Sequence, residues 1–147
     1  MEFHYLVRGI IQVDGKVLLT HKKGADHTYL PGGHIDLGES AKSALAREIK
    51  EEIGMEARVK GFVGAVEHVW TEDGADNHEI NLVFEVDVPG LESAADPSSL
   101  EPDLEFIWSE VSDLKSHNLQ PYPLIECLAN LKRGYRGYWG SSIKGGR

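Results

Sequence analysis

Residues 33–55 read GHIDLGESAKSALAREIKEEIGM, and the organisation of the chain follows from this stretch. Leu45, Ile49 and Ile53 recur every four residues, with Ala41 a turn earlier, which is the spacing of one apolar helix face. Ser40 offers an N-cap, although Ser43 rather than Glu or Gln lies three residues on, and Gly54 supplies the stop. A helix is expected over residues 40–53. With Leu45 as the origin and about 100° per residue, Ile49 and Ile53 lie at about +40° and +80°. Glu52, Glu48 and Glu51 fall at roughly −20°, −60° and −120° on the same scale. Three carboxylates thus share one arc, with Glu52 inside the apolar stripe. Like charges one helical turn apart oppose folding, the more so when partly buried. Two readings remain open. Either the arc is a solvated acidic face offset by Arg47 and Lys50, or it is a ligand set for a hard cation such as Mg²⁺.

Before the helix, Phe3 to Val13 is rich in β-branched residues, Asp14-Gly15 marks a two-residue hairpin turn, and Lys16 to Thr20 resumes the strand pattern. Pro31-Gly32-Gly33 and Asp36-Leu37-Gly38 form a turn-rich entry to the helix. After it, Val59 to Trp70 and Glu79 to Val88 read as strands separated by the polar stretch Thr71 to Asn77. Pro89 to Pro102 reads as a long loop, Leu104 to Trp108 as a short strand, and Pro123 to Leu131 as a second helix with Leu124, Leu128 and Leu131 on one side. Strands and helices mix without strict alternation, so the expected class is α/β, a mixed sheet covered by helices. Residues 1–131 form the expected single domain. Residues 132–147 shift to Gly, Arg and aromatics, as in Arg133-Gly134-Tyr135-Arg136-Gly137-Tyr138-Trp139. That arm reads as a frayed or docked terminus, or as a surface on which single-stranded nucleic acid stacks.

The chain has 147 residues, 41% hydrophobic and 27% charged, the composition of one ordinary globular domain. Its single cysteine, Cys127, reads as a small buried hydrophobe and fits a reducing compartment. Met1 to Tyr5 lacks the basic and apolar regions of a signal peptide, and no apolar run reaches membrane length, so a cytoplasmic protein without a membrane partner is expected. A net charge of −9 disfavours nonspecific binding to a DNA duplex, which depends on Lys and Arg neutralising phosphates. An anionic substrate must then be met by a local device, a metal ion or a few arginines.

Gly33, Glu39, Arg47-Glu48-Ile49, Glu51-Glu52 and Gly54-Met55 match the Nudix box, Gly-x5-Glu-x7-Arg-Glu-U-x-Glu-Glu-x-Gly-U with U apolar, at every specified position. Chance agreement is expected in fewer than about one in a million chains of this length. The chain therefore resembles the Nudix (MutT-like) hydrolases, and the weaker likeness runs to about residue 131. The resemblance implies an α/β/α sandwich with a mixed sheet, the box forming a loop, a helix and a loop. It makes Glu48, Glu51 and Glu52 ligands of Mg²⁺ or Mn²⁺, with Arg47 and Glu39 orienting those carboxylates. Gly32 and Gly33 let a carbonyl turn toward the metal, and with Arg8 and Tyr29 they make up the expected substrate-binding set.

Arg8 is expected to clamp a phosphate or to form a surface ion pair, and Tyr29 to stack on a nucleobase or pack at the core's edge. Glu105 resembles a downstream glutamate that many members use as extra metal ligand or general base; alternatively it is one exposed acid in an acidic segment. His68 and His78 flank the polar stretch after the second strand run and are either substrate contacts or structural. The implied reaction is attack of water on a diphosphate linkage in a small nucleotide, with Glu51, Glu52 or Glu105 as base. Candidate substrates are nucleoside triphosphates, nucleotide sugars or ADP-ribose, and dinucleoside polyphosphates. Three rivals stay open: removal of pyrophosphate from the 5′ end of RNA, a nucleotide sensor without turnover, and an allylic diphosphate isomerase. The last needs a catalytic cysteine, for which Cys127 is badly placed. A homodimer is also left open.

Overall fold

The computed structural model describes residues 1–144. Strands β1 (Glu2–Val13) and β2 (Lys16–Lys22) open the chain as a hairpin. Asp14 and Gly15 have φ of 52° and 78°, which is the turn geometry an Asp-Gly pair supplies. Two short strands follow, β3 (Thr28–Tyr29) and β4 (Gly32–His34), then helix α1 (Ala41–Ile53). Next come the long hairpin of β5 (Arg58–Glu72) and β6 (Ala75–Asp87), then β7 (Leu104–Glu110), a 3-10 turn at Val111–Asp113, helix α2 (Pro123–Lys132) and β8 (Tyr138–Ser141).

The main path of the sheet is β3-β2-β1-β6-β5-β8, with β4 paired to β1 and β7 to β2. The two strands of the opening hairpin stay paired only at Gln12↔Val17 and Val13↔Lys16, and beyond that point they splay. This frees the edge of β1 for β4, through Leu6↔His34 to Arg8↔Gly32. On its other edge β1 runs parallel to β6, from Glu2↔Asn77 to Ile11↔Val86. A central parallel pair is covered on both faces, which explains why β1 buries consecutive residues, Leu6-Val7 and Gly9-Ile10-Ile11.

Successive residues of a strand face opposite sides. Ile11, Leu18 and Phe84 therefore enter one core with Leu45, Ile49 and Ile53 of α1. Their neighbours Ile10, Leu19 and Val83 enter a second core with Leu124, Cys127 and Leu128 of α2. The result is helix, mixed sheet, helix: the expected α/β/α sandwich. Cys127 is buried, as its size and apolar character suggest.

Ser40 caps α1 by accepting from the Ser43 backbone N–H, and Gly54 ends it at φ 82°. Such a cap contributes about 1 kcal/mol. The polar stretch Thr71 to Asn77 departs from its reading as a gap between strands. Both strands continue through it to a tight turn at Asp73 and Gly74, with φ of 50° and 77°. Polar residues serve there because the hairpin tip extends past the core and needs only ladder bonds. Part of the C-terminal arm is docked: β8 pairs parallel to β5 from Gly64↔Tyr138 to Glu67↔Ser141. Residues 145–147 of the arm lie outside the described residues. Among the described residues, no helix is long and apolar enough to cross a membrane.

Candidate active site

Helix α1 presents its charged face to β4, and Arg47 organises the contact. Its Nε donates to Glu39 Oε2 at 2.8 Å and its Nη2 to Glu39 Oε1 at 3.0 Å, a two-point grip. Nη1 donates to Glu48 Oε1 at 3.0 Å and to Glu51 Oε1 at 3.3 Å, and Nη2 also reaches the His34 carbonyl at 3.1 Å. The Arg47 bonds, and then the Asp36 backbone N–H, hold the Glu39 carboxyl below its ordinary range.

Two glycines of β4 make room for this arrangement. A Cβ on Gly32, at φ 144°, would meet the Val7 carbonyl oxygen at 2.0 Å. One on Gly33 would lie 2.6–2.8 Å from the carboxylate atoms of Glu48. Gly32 thus serves the close approach of β4 to β1, while Gly33 leaves a seat for a functional side chain.

Glu52 is 6% exposed. Its Oε2 is buried without a hydrogen-bond partner. Burial, then the like charge of Glu48, pushes its pKa up to about 8, with Arg8 pulling the other way. An acid so placed is stable only with a proton or a cation beside it. The donor set, two carboxylates meeting at an orphaned oxygen, suits a hard divalent cation. As the side chains stand, no three acidic, His or Cys groups converge on one point among the described residues. The third box carboxylate is drawn away: Glu51 is 52% exposed and pairs with Arg47.

A cleft of about 590 Å³ opens nearby, its lining including Arg8, Tyr29, His68, Trp70 and Glu79. It adjoins the box electrostatically, because Arg8 and Glu52 each act on the Tyr29 hydroxyl, whose pKa burial raises. The Arg8 guanidinium lies 5.0 Å from the Tyr29 ring centre. A depression of about 710 Å³ lies between α2 and β8, lined by residues such as Tyr122, Glu126 and Trp139. Neither hollow is lined by a box residue, but only the first is coupled to the box, through Arg8 paired with Gly32 and through the action of Glu52 on Tyr29, so the size of the second does not make it the chemical site.

Sequence-derived candidates separate into those the fold gathers and those it does not. Arg47, Glu48, Glu51, Glu52, Gly32 and Gly33 stand together, and Arg8, paired with Gly32, lines the neighbouring cleft with Tyr29. Glu105 Oε1 instead accepts from His21 Nδ1 at 2.7 Å on the β2–β7 ladder. The further acid acting on Glu52 is Glu101, from the loop whose Leu100 N–H donates to the Glu52 carbonyl at 2.8 Å. His68 lines the cleft with Nδ1 2.6 Å from Ser142 Oγ, and burial lowers its pKa. His78 lies on the opposite face of β6 from Asn77 and Glu79 by strand alternation. Sequence reasoning missed Trp70, Glu79 and Asn81. A signal was present: Asn77, Glu79 and Asn81 place polar groups at every second position along β6, the last of them next to the apolar run Leu82-Val83-Phe84.

The NUDIX domain model matches residues 4–128. The chain belongs to the NUDIX family. Over 100 residues it is 38% identical to an ADP-ribose pyrophosphatase of Methanocaldococcus jannaschii, covering 65% of this chain and 57% of that protein. Over 69 residues it is 38% identical to the CTP pyrophosphohydrolase of Escherichia coli, covering 44% and 51%. The chain thus spans about half the length of these curated relatives. The solution structure of the E. coli ORF135 protein superposes with a TM-score of 0.62 at 26% identity, over 91% of this chain and 94% of that one. A NUDIX hydrolase from Nitrosomonas europaea gives 0.70 at 20% identity over 91% of each chain, a likeness of fold alone.

Proposed function

We propose that this NUDIX chain hydrolyses the diphosphate linkage of a small nucleoside diphosphate derivative with the help of Mg²⁺ or Mn²⁺. The observation that carries the reading is Glu52, a buried carboxylate with an unpartnered oxygen beside Glu48, near enough to the nucleotide-sized cleft for its charge to act on Tyr29 in the cleft wall. The pyrophosphatase names of the relatives support the reaction class. Glu48 and Glu52 would hold the ion, joined by Glu51. When bound, such an ion neutralises phosphate charge and acidifies a water molecule.

The chain's own residues do the remaining work. Arg47 and the missing Cβ of Gly33 keep the Glu48 carboxylate in place. Arg8 offers guanidinium donors to a phosphate, and Tyr29 and Trp70 offer aromatic surface to a base. A box carboxylate, Glu51 or Glu52, takes the proton of the attacking water. Glu105, engaged with His21, is the weaker candidate for that role. A cytoplasmic setting suits the lone buried thiol.

The test is a substrate panel with Mg²⁺: ADP-ribose, a UDP-sugar, CTP, 8-oxo-dGTP and a dinucleoside polyphosphate, followed by product analysis. At least one should be cleaved between phosphorus atoms, with turnover falling about 10²-fold or more in Glu52→Gln. Metal-dependent binding without cleavage anywhere in the panel would make the domain a sensor and reject the proposal.

A further inference from the structure

Asn81 is 0% exposed, in the middle of β6, where Val83 on the same strand and Val66 on the neighbouring strand are equally buried. A buried amide opposes folding unless every group is bonded, and an apolar residue of similar volume would fill the same space. Its bonds explain its presence. Nδ2 donates to Glu79 Oε2 at 2.7 Å and to the Val66 carbonyl at 3.3 Å, and Oδ1 accepts from Arg8 Nε at 3.3 Å. Only one orientation of the amide serves. A flip would face its NH₂ toward the Arg8 N–H and its oxygen toward a carboxylate and a carbonyl. Glu79 is itself steadied by Trp70 Nε1 at 2.7 Å.

A chain of bonds therefore runs Trp70, Glu79, Asn81, Arg8, and it ends on a guanidinium that lines the cleft. Arg8 Nη1 also donates to the Leu30 carbonyl at 3.2 Å. Both of these acceptors are uncharged, so the positive charge of Arg8 is fixed in direction without being neutralised by them. Among the described residues these are its hydrogen-bond acceptors, which leaves the remaining guanidinium donors to meet an anion.

We propose that Asn81 is a positioning residue, which aims Arg8 at the phosphate of a bound nucleotide between the box carboxylates and the aromatic cleft. The proposal rests on the reading of the cleft as a nucleotide site. It adds that binding strength is set from beneath the sheet surface, by an amide that never touches the ligand.

The experiment is a double-mutant cycle on the full chain with Arg8→Ala, Asn81→Leu and their combination, and with Asn81→Ala as a second, smaller truncation. Binding of ADP with Mg²⁺ is measured by calorimetry, and melting temperature is recorded for each variant. Arg8→Ala should weaken ADP binding roughly tenfold or more, and Asn81→Leu by about fivefold or more. The double variant should bind no more weakly than Arg8→Ala alone, because the amide acts only through the guanidinium. The Nε–H proton of Arg8 should exchange slowly in the wild type and quickly in both Asn81 variants. On any substrate that is turned over, KM should rise with the ADP dissociation constant while kcat falls less than about threefold.

A purely structural role would lower the melting temperature without that split. Additive losses in the cycle, ADP binding unaffected by Arg8→Ala or by both Asn81 variants, or no ADP binding to the wild type would each overturn the proposal. Should the wild type bind ADP and hydrolyse nothing, the hydrolase reading fails while the cycle still decides the role of Asn81.

Discussion

Adding one methyl group at either of two adjacent glycines should have opposite consequences. In Gly33→Ala the new Cβ lies 2.6 Å from Glu48 Cδ, 2.7 Å from Oε2 and 2.8 Å from Oε1. The carboxylate must retreat by roughly 0.7 Å to reach ordinary contact distance. Gly33 has no positive φ, so the backbone itself accepts alanine. What is lost is the Arg47 Nη1 to Glu48 Oε1 bond, now 3.0 Å, on side chains 31% and 18% exposed. Such a bond contributes about 1 kcal/mol, a melting shift of about 2–4 °C.

On the proposal that Glu48 holds the metal, displacing its carboxylate by that much should nonetheless reduce hydrolysis by about 10²-fold. Gly32→Ala has the reverse profile. Its Cβ meets the backbone oxygen of Val7 at 2.0 Å and its φ is 144°, so β4 must leave β1, at about 3 kcal/mol or more. Calorimetric melting in EDTA, Mg²⁺ titration and turnover on the best substrate separate the two. Wild-type metal response and activity in Gly33→Ala, or a lower stability for it than for Gly32→Ala, would refute this assignment of the two glycines.

Mg²⁺ in large excess over its dissociation constant should raise the wild-type melting temperature, by about 2.7 kcal/mol of stabilisation at a hundredfold excess, and Glu52→Gln should blunt that response. Equal melting curves with and without metal in both proteins would mark the carboxylates as a solvated face. Burial pushes the Cys127 thiol up to about 11 from 9.0, so the folded chain keeps its proton where the unfolded chain loses it. Stability from this group is complete below pH 9.0 and is lost as pH rises toward about 11, by on the order of 2 kcal/mol. Urea denaturation at pH 8 and pH 10.5 should show that loss in the wild type and a smaller one in Cys127→Ala; equal losses in the two proteins would contradict it. A chain ending at Lys132 lacks β8 and the packing of Tyr138 on the second core, so it should melt several degrees lower. Comparing that truncation with the full chain on a free nucleotide and on a 5′-triphosphorylated RNA tests the arm. A selective loss of RNA cleavage would assign the arm to the site and displace the small-nucleotide reading.

Helix α1 and its charged face were legible before any tertiary contact was known. Their signals are local: an apolar repeat every four residues, a Ser40 cap, a Gly54 stop, and carboxylates within a turn of Arg47. Backbone geometry alone puts such groups side by side. Even the Arg47–Glu39 grip spans only 8 residues. The opening hairpin was equally local, since Asp14-Gly15 specifies its own turn.

The cleft was not legible in this way. Arg8 and Asn81 stand 73 residues apart, and their contact depends on β1 lying parallel to β6 in the register Leu6↔Asn81. A shift of one residue would turn Asn81 toward the other face. Glu105 illustrates the same limit from the other side, because its strand pairs with β2 and carries it to His21 instead of to the box. The tail behaved likewise: four residues rich in Gly and aromatics show little periodicity, yet they form β8 because β5 offers a free edge. The sequence by itself determined the acid-bearing helix and the mixed sheet through periodicities a few residues long, and it indicated the family through the residues that match the box. Which distant side chains face Glu52 was decided only by the tertiary structure, because strand order and register are properties of pairs of strands.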